Sequence, residues 1–222
     1  MKYLSTRNDS LSYSFNDILF QGLSKDGGLF LPREWPRINL DHLSNKTYQE
    51  VATELIDPFT KEDIKKNDLY EIILKSYVNF ENDKIAPIYE LDKSKFLLEL
   101  FYGPTYAFKD YALQFLGNLF SYSLKRYPRN ITVLGATSGD TGSAAIHAFK
   151  TNQDINVFIL HPQGKVSPMQ QKQMTTVDEE NIFNIAIEGN FDDCQNIVKT
   201  LFVDNEIQNK TSLTAINSIN WA

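Results

Sequence analysis

Five short apolar runs separated by helical stretches constrain this chain more than anything else in it. Phe96-Leu97-Leu98-Glu99-Leu100-Phe101, Ile131-Thr132-Val133-Leu134-Gly135, Val157-Phe158-Ile159-Leu160, Ile182-Phe183-Asn184-Ile185-Ala186-Ile187 and Leu213-Thr214-Ala215-Ile216 each read as a strand. Between them, helical periodicity is expected over about 107–126, through Ala144-Ala145-Ile146-His147-Ala148-Phe149, from Ser167-Pro168 onward and over about 191–203. Ser167 supplies an N-cap and Pro168 a first-turn proline. Continuous apolar strands alternating with helices imply an α/β domain with a parallel sheet covered on both faces, a three-layer αβα arrangement. Its crossovers should be right-handed. Ligands bind such sheets beyond the carboxyl ends of the strands. Two polar loops leave strands at that end.

The chain before this region has a different texture. To about Pro87 it reads as helical. Phe15, Ile18 and Leu19 form a short stripe behind Ser14, a plausible N-cap. Val51, Leu55, Ile56 and Phe59 mark a second helix, and Ile64, Leu69, Ile72, Ile73 and Tyr77 a third. Asp26-Gly27-Gly28 signals a turn before Leu29-Phe30-Leu31-Pro32. A loop over 79–87 marks a boundary, so the expected domains are a helical 1–87 and an α/β 88–222. At 222 residues the chain is long enough for one large or two small cores.

Charge and cysteine content exclude several classes of function. The net charge is -6, and no basic stripe interleaved with aromatics is present, so neither nucleic acid nor an anionic membrane surface is expected as a partner. No apolar stretch approaches the ~20 residues of a membrane span. No signal peptide precedes the first turn, which points to a cytoplasmic protein and leaves the sequons at Asn8 and Asn130 idle. The single cysteine, Cys194, sits among acidic residues that raise a thiol's pKa, which suits packing rather than catalysis. No metal site is expected: His42 and His147 lack ligand partners at useful spacing. His161 heads a loop after a strand, where a turn role is expected.

Two segments carry the chemistry. In Gly103-Pro104-Thr105-Tyr106-Ala107-Phe108-Lys109-Asp110 a lysine falls at the start of a helix, where the dipole disfavours a cation. A Schiff-base lysine must be partly unprotonated, and Phe108 beside it supplies apolar surroundings. The residues alone leave open an ordinary surface lysine opposite Asp110. In Ala136-Thr137-Ser138-Gly139-Asp140-Thr141-Gly142, hydroxyls at Thr137, Ser138 and Thr141 and unhindered amides at Gly139 and Gly142 precede a helix. That arrangement suits a carboxylate or phosphate. A plain helix cap with a tight turn would read the same way. Asp140 would repel an anion, so its task there is a hydrogen bond to a hydroxyl or a protonated nitrogen. Together the lysine and the anion loop point to pyridoxal phosphate chemistry on an amino acid. A third polar cluster, Asn217-Ser218-Ile219-Asn220, follows the last strand and could hold a phosphate oxygen or simply form a loop.

These segments, with Tyr3-Leu4-Ser5-Thr6-Arg7, the run from Gly22 to Pro32, and Asn217-Ser218-Ile219-Asn220-Trp221-Ala222, resemble the threonine synthase family. Those proteins are pyridoxal-phosphate enzymes of fold type II, in the tryptophan synthase β-subunit superfamily. The resemblance covers nearly the whole chain. The aspartate in Ser-Gly-Asp-Thr-Gly separates the family from most relatives, which carry asparagine there. The resemblance implies that Lys109 holds the cofactor as an internal aldimine and then moves protons, with Phe108 beside it. It implies that Thr137, Ser138, Gly139, Asp140 and Thr141 cradle the substrate carboxylate, with Asp140 near the cofactor's ring hydroxyl. Asn217 and Ser218 would hold the substrate's phosphate. The implied reaction turns O-phospho-L-homoserine and water into L-threonine and phosphate, through elimination and hydration.

One departure accompanies the resemblance. Family members continue past the position of Ala222, with an arginine and roughly another half that carries the cup for the cofactor phosphate. The expectation is therefore an N-terminal portion that binds cofactor weakly and turns over little by itself. A serine/threonine dehydratase or cysteine synthase is the alternative within the superfamily, although those lack the long helical N-terminal extension. A non-catalytic remnant is the alternative outside it, with no physical need for both Lys109 and the anion loop. Monomer and homodimer stay open.

Overall fold

The computed structural model describes residues 1–216, and Asn217 and Ser218 lie outside them. The chain divides into two compact units, Met1–Gly103 and the residues from Pro104 on.

The first unit opens with β1 (Tyr3–Ser5), β2 (Asn8–Tyr13), α1 (Phe15–Leu19) and β3 (Phe30–Pro32). It continues with α2 (Tyr48–Thr60), α3 (Lys66–Tyr77), β4 (Ile88–Asp92) and β5 (Lys95–Leu98). The purely helical reading of this region is corrected by an antiparallel sheet of order β2-β1-β3. Two of its strands are three residues long and the third is polar, so no period-2 pattern could mark them. The helices start where side chains cap them. Ser14 and Thr47 each accept from the backbone three residues on while Asp17 and Glu50 reach back, two capping boxes. Tyr3 is fully buried and its hydroxyl donates to the Phe59 carbonyl at 2.7 Å, joining the sheet to α2.

Phe96-Leu97-Leu98 is a strand, but not of the parallel sheet. It pairs antiparallel with β4 in a two-stranded ribbon. Asp92 turns the chain by accepting from the backbone amide and hydroxyl of Ser94, a local chemistry that outranks the apolar run. Ile88, Tyr89, Leu91, Phe96, Leu97 and Leu98 are all exposed on it.

The second unit holds α4 (Lys109–Arg126), β6 (Ile131–Ala136), α5 (Asp140–Phe149), β7 (Ile155–Pro162), α6 (Pro168–Thr175), β8 (Ile182–Ile187), α7 (Phe191–Val203), α8 (Asn205–Lys210) and β9 (Leu213–Ala215). Among the described residues its four strands are all parallel, in the order β8-β7-β6-β9. Alternation along the strands assigns the faces. Leu134 and Leu160 pack with Cys194, Val198, Leu201 and Phe202 of α7. Ile159 meets α5 on the other face, at Gly142. The α/β three-layer fold is thus present. Burial and then Asp193 push the Cys194 thiol up, consistent with its packing role. Asn181 locks the layers by donating to the carbonyls of Phe149, Asn152 and Ile155.

Helix α4 lies on α5 through one close approach. A Cβ added at Gly117 would sit 2.5 Å from the Ala148 carbonyl oxygen. On a free helix Gly→Ala gains about 1 kcal/mol of propensity. Overpacking against backbone costs about 1–3 kcal/mol. We therefore expect Gly117→Ala to lower stability by up to about 2 kcal/mol in a denaturant titration, against the propensity sign.

Candidate active site

Lys109 is the first residue of α4, two residues earlier in the helix than the expected start near Ala107 would place it. Phe108 precedes it without any side-chain cap bond. The helix start is fixed instead by Asp110, which is fully buried. Its carboxylate accepts from the Thr105 backbone amide at 2.7 Å and the Thr105 hydroxyl at 2.8 Å. This clamp closes a loop in which Tyr106 takes a left-handed φ of 59°, a conformation costly for a residue with a Cβ. The result is a lysine held at a defined point by its neighbour rather than by its own contacts. The Lys109 ammonium lies 4.5 Å from the centroid of the Phe108 ring. Among the described residues it forms no ion pair. Burial raises the Asp110 carboxyl above its ordinary range, against the hydrogen bonds from Thr105 and Ala107, and the charge of Asp140 raises it further. Asp110 and Asp140 therefore lie within electrostatic reach of each other.

The anion loop departs from expectation in one respect. Thr137 is buried, and its hydroxyl oxygen accepts from the amides of Gly139 at 3.0 Å and Gly142 at 2.9 Å. Those two amides are therefore consumed inside the loop, and Thr137 shapes the turn instead of presenting a ligand. What remains open among the described residues is the run of amides at Ser138, Asp140 and Thr141, at the positive end of α5. The Ser138 side chain is exposed and Thr141 half-buried beside it. Gly139 has φ 146°, which a side chain could not adopt, and a Cβ there would overlap the Gln170 amide. Helix α6 covers this loop: Gln170 donates to Asp140 and packs against Gly139. On the same helix Gln173 donates to the Thr105 carbonyl at 3.1 Å.

The described parts fit pyridoxal phosphate. An amine without an ion pair among the described residues, a row of open amides and a carboxylate held by Gln170 are the groups that a carbonyl-bearing, anionic cofactor and an amino-acid carboxylate require. Asn217 and Ser218 lie outside the described residues. His161 is not in a loop: it belongs to β7, is buried, and its Nδ1 has no hydrogen-bond partner among the described residues. His147 is half-buried against Gln114, and burial lowers its pKa. No three of His, Cys, Asp and Glu converge on a metal position among the described residues, and no described helix is long and apolar enough to cross a membrane. Asp110, Thr105, Gln170 and Gln173 had no signal as site residues beyond proximity to a motif and an i, i+3 spacing on a short polar helix.

The family model for the threonine synthase N terminus matches residues 2–77. Over 99% of its length the chain is 47% identical to a threonine synthase of Eremothecium gossypii, of which it covers 46%. Over its entire length it is 44% identical to a threonine synthase of Pseudomonas aeruginosa, of which it covers 48%. It superposes on a crystal structure of pyridoxal-phosphate-bound threonine synthase from Brucella melitensis with a TM-score of 0.92 at 46% identity, covering 100% of this chain and 48% of that one. For the yeast threonine synthase crystal structure the TM-score is 0.90 at 43% identity, covering 99% of this chain and 46% of that one. The chain spans about half the length of the relatives it matches. In sequence and in fold alike, it corresponds to the N-terminal portion of threonine synthase proteins, the family its motifs resemble.

Proposed function

We propose that this chain supplies the Schiff-base lysine and the substrate-carboxylate loop of a pyridoxal-phosphate-dependent threonine synthase. The reaction proposed is conversion of O-phospho-L-homoserine and water to L-threonine and phosphate, a carbon–oxygen lyase chemistry on a phosphate ester. One observation carries the reading. The segment that leads into Lys109 and the start of α5 are both hydrogen-bonded by glutamines of a single helix, which supports reading the amine and the open amides as parts of one site.

The cofactor, when bound, supplies an electron sink for carbanions at the substrate's α carbon. The chain's own residues do the rest. Open amides at Ser138, Asp140 and Thr141, with the dipole of α5, hold the carboxylate and so fix which substrate bonds face Lys109. The ε-amine of Lys109 would accept and return protons at the substrate carbons. Asp140, held by Gln170, would accept a hydrogen bond from the cofactor's ring hydroxyl. Thr137 holds the turn rigid from within. Asn217 and Ser218 are proposed for the substrate phosphate. Domains of 1–87 and 88–222, action as monomer or homodimer, and a cytoplasmic setting belong to the same reading.

The test combines trapping with turnover. The intact native protein carrying this chain is mixed with pyridoxal phosphate, reduced with borohydride and mapped by peptide mass spectrometry. We expect one adduct, at Lys109, and release of threonine from O-phospho-L-homoserine but no product from serine. An adduct spread over surface lysines, or turnover of serine alone, would refute the reading.

A further inference from the structure

Helix α6 is eight residues long and mostly solvated, and its one buried side chain is Met174. Met174 anchors it against Gly142 of α5, and its other fixed points are polar. Gln173 Nε2 donates to the carbonyl of Thr105, the residue that Asp110 clamps to set the start of α4. One turn earlier, Gln170 Nε2 donates to Asp140 Oδ1. The Gln170 amide cannot swing freely, because its Oε1 accepts from the Ser167 hydroxyl at 3.0 Å. The same helix is tied at both ends. Ser143 of α5 donates to the Gln170 carbonyl at 3.4 Å, and Asn184 of β8 donates to the Met174 carbonyl at 2.9 Å.

These contacts run between loops that sequence keeps far apart. Thr105 precedes Lys109 by four residues, while Asp140 opens α5 one strand later. Residues three apart on a helix share a face, so one rigid turn carries both glutamines. The conformation of each loop depends on the other through that turn. We propose that α6 is a strap that sets the spacing between Lys109 and Asp140, with Gln170 and Gln173 as its positioning residues. The catalytic consequence rests on the function proposed above, since a displacement of about 1 Å at a reacting group can cost about 100-fold in rate.

The experiment uses the intact native protein carrying this chain. Gln173→Glu keeps the size of the side chain and removes the donor, whereas Gln173→Lys keeps a donor of similar reach. We expect Gln173→Glu to speed amide exchange at Thr105, and also at Gly139 and Gly142 across the strap, by about tenfold or more. Exchange elsewhere in the parallel sheet and the melting temperature should stay close to those of the unsubstituted protein. The same variant should lower kcat about tenfold or more, and Gln173→Lys should restore most of both losses. Gln170→Leu should produce the reciprocal pattern, with Thr105 loosened from the far end. Unchanged exchange at Gly139 and Gly142 in Gln173→Glu would overturn the strap. So would exchange rising across the whole sheet with a fall in melting temperature, the mark of general packing. If the unsubstituted protein releases no threonine, the functional reading fails, and amide exchange still decides the strap.

Discussion

On the function proposed above, Lys109→Ala in the intact native protein is expected to lose threonine formation by about 10³-fold or more, since a positioned proton-transfer group contributes about 10²–10⁴-fold and the proposed covalent hold on the cofactor would go with it. The fold should not suffer. Lys109 is half-buried at the first position of α4, and among the described residues it makes no ion pair. Removing a cation from a helix N-terminus is favourable by about 0.3–1 kcal/mol. Stability is therefore expected to be equal or slightly higher while activity vanishes, a pairing that separates a chemical role from a structural one. Loss of activity with loss of melting temperature would place Lys109 in the scaffold instead. Restoration by added primary amines would identify the missing group as an amine.

Asp110 next to it is expected to behave in the opposite way. It is fully buried, and its two oxygens hold the Thr105 amide and hydroxyl. Asp110→Ala strands that buried amide and empties its site, at a cost of about 2–4 kcal/mol. For a domain of this size that corresponds to a fall on the order of 10 °C. Asp110→Asn is expected to be far milder, since its oxygen can accept from the Thr105 amide while its NH₂ donates to the hydroxyl. The pair also carries a pH signature. Burial raises the Asp110 carboxyl above its ordinary 3.8. Between 3.8 and the raised value the folded state binds more protons than the unfolded one, so stability falls as pH rises through that window. Asp110→Asn removes that downward slope. Chemical denaturation of wild type and variant across the acid range measures it, and identical slopes would show that folding does not raise the Asp110 carboxyl.

Much of the second unit was legible because its signals are local and redundant. Val133, Val157 and Ile159 are fully buried strand residues in runs too apolar for a surface. Ser167-Pro168 names its helix start by chemistry. The ribbon of β4 and β5 misled because Phe96-Leu97-Leu98 looks like a buried strand, yet the Asp92–Ser94 turn folds it onto its own neighbour. The anion loop was legible as a loop but not in its wiring. Nothing in the order Thr-Ser-Gly-Asp-Thr-Gly tells which hydroxyl faces inward, and the inward one proved to be Thr137. Gln170 and Gln173 were illegible in principle. A glutamine on a short polar helix looks solvated until the fold brings a carbonyl or carboxylate to it.

The strand order has a consequence for how the protein is made. Thr132 of β6 pairs with Leu213 of β9, roughly 80 residues further along the chain. On the other side β6 meets β7, which follows it directly. A ribosome adding about 5–20 residues per second therefore leaves one edge of β6 without its partner for roughly 4–16 seconds. The edge is apolar and unpaired during that interval, the state in which strands find wrong partners. Closing so long a loop is also entropically costly, so β9 docks late even in refolding from denaturant. β9 is thus the strand that seals the open edge of β6, well after β7 has paired on the other side.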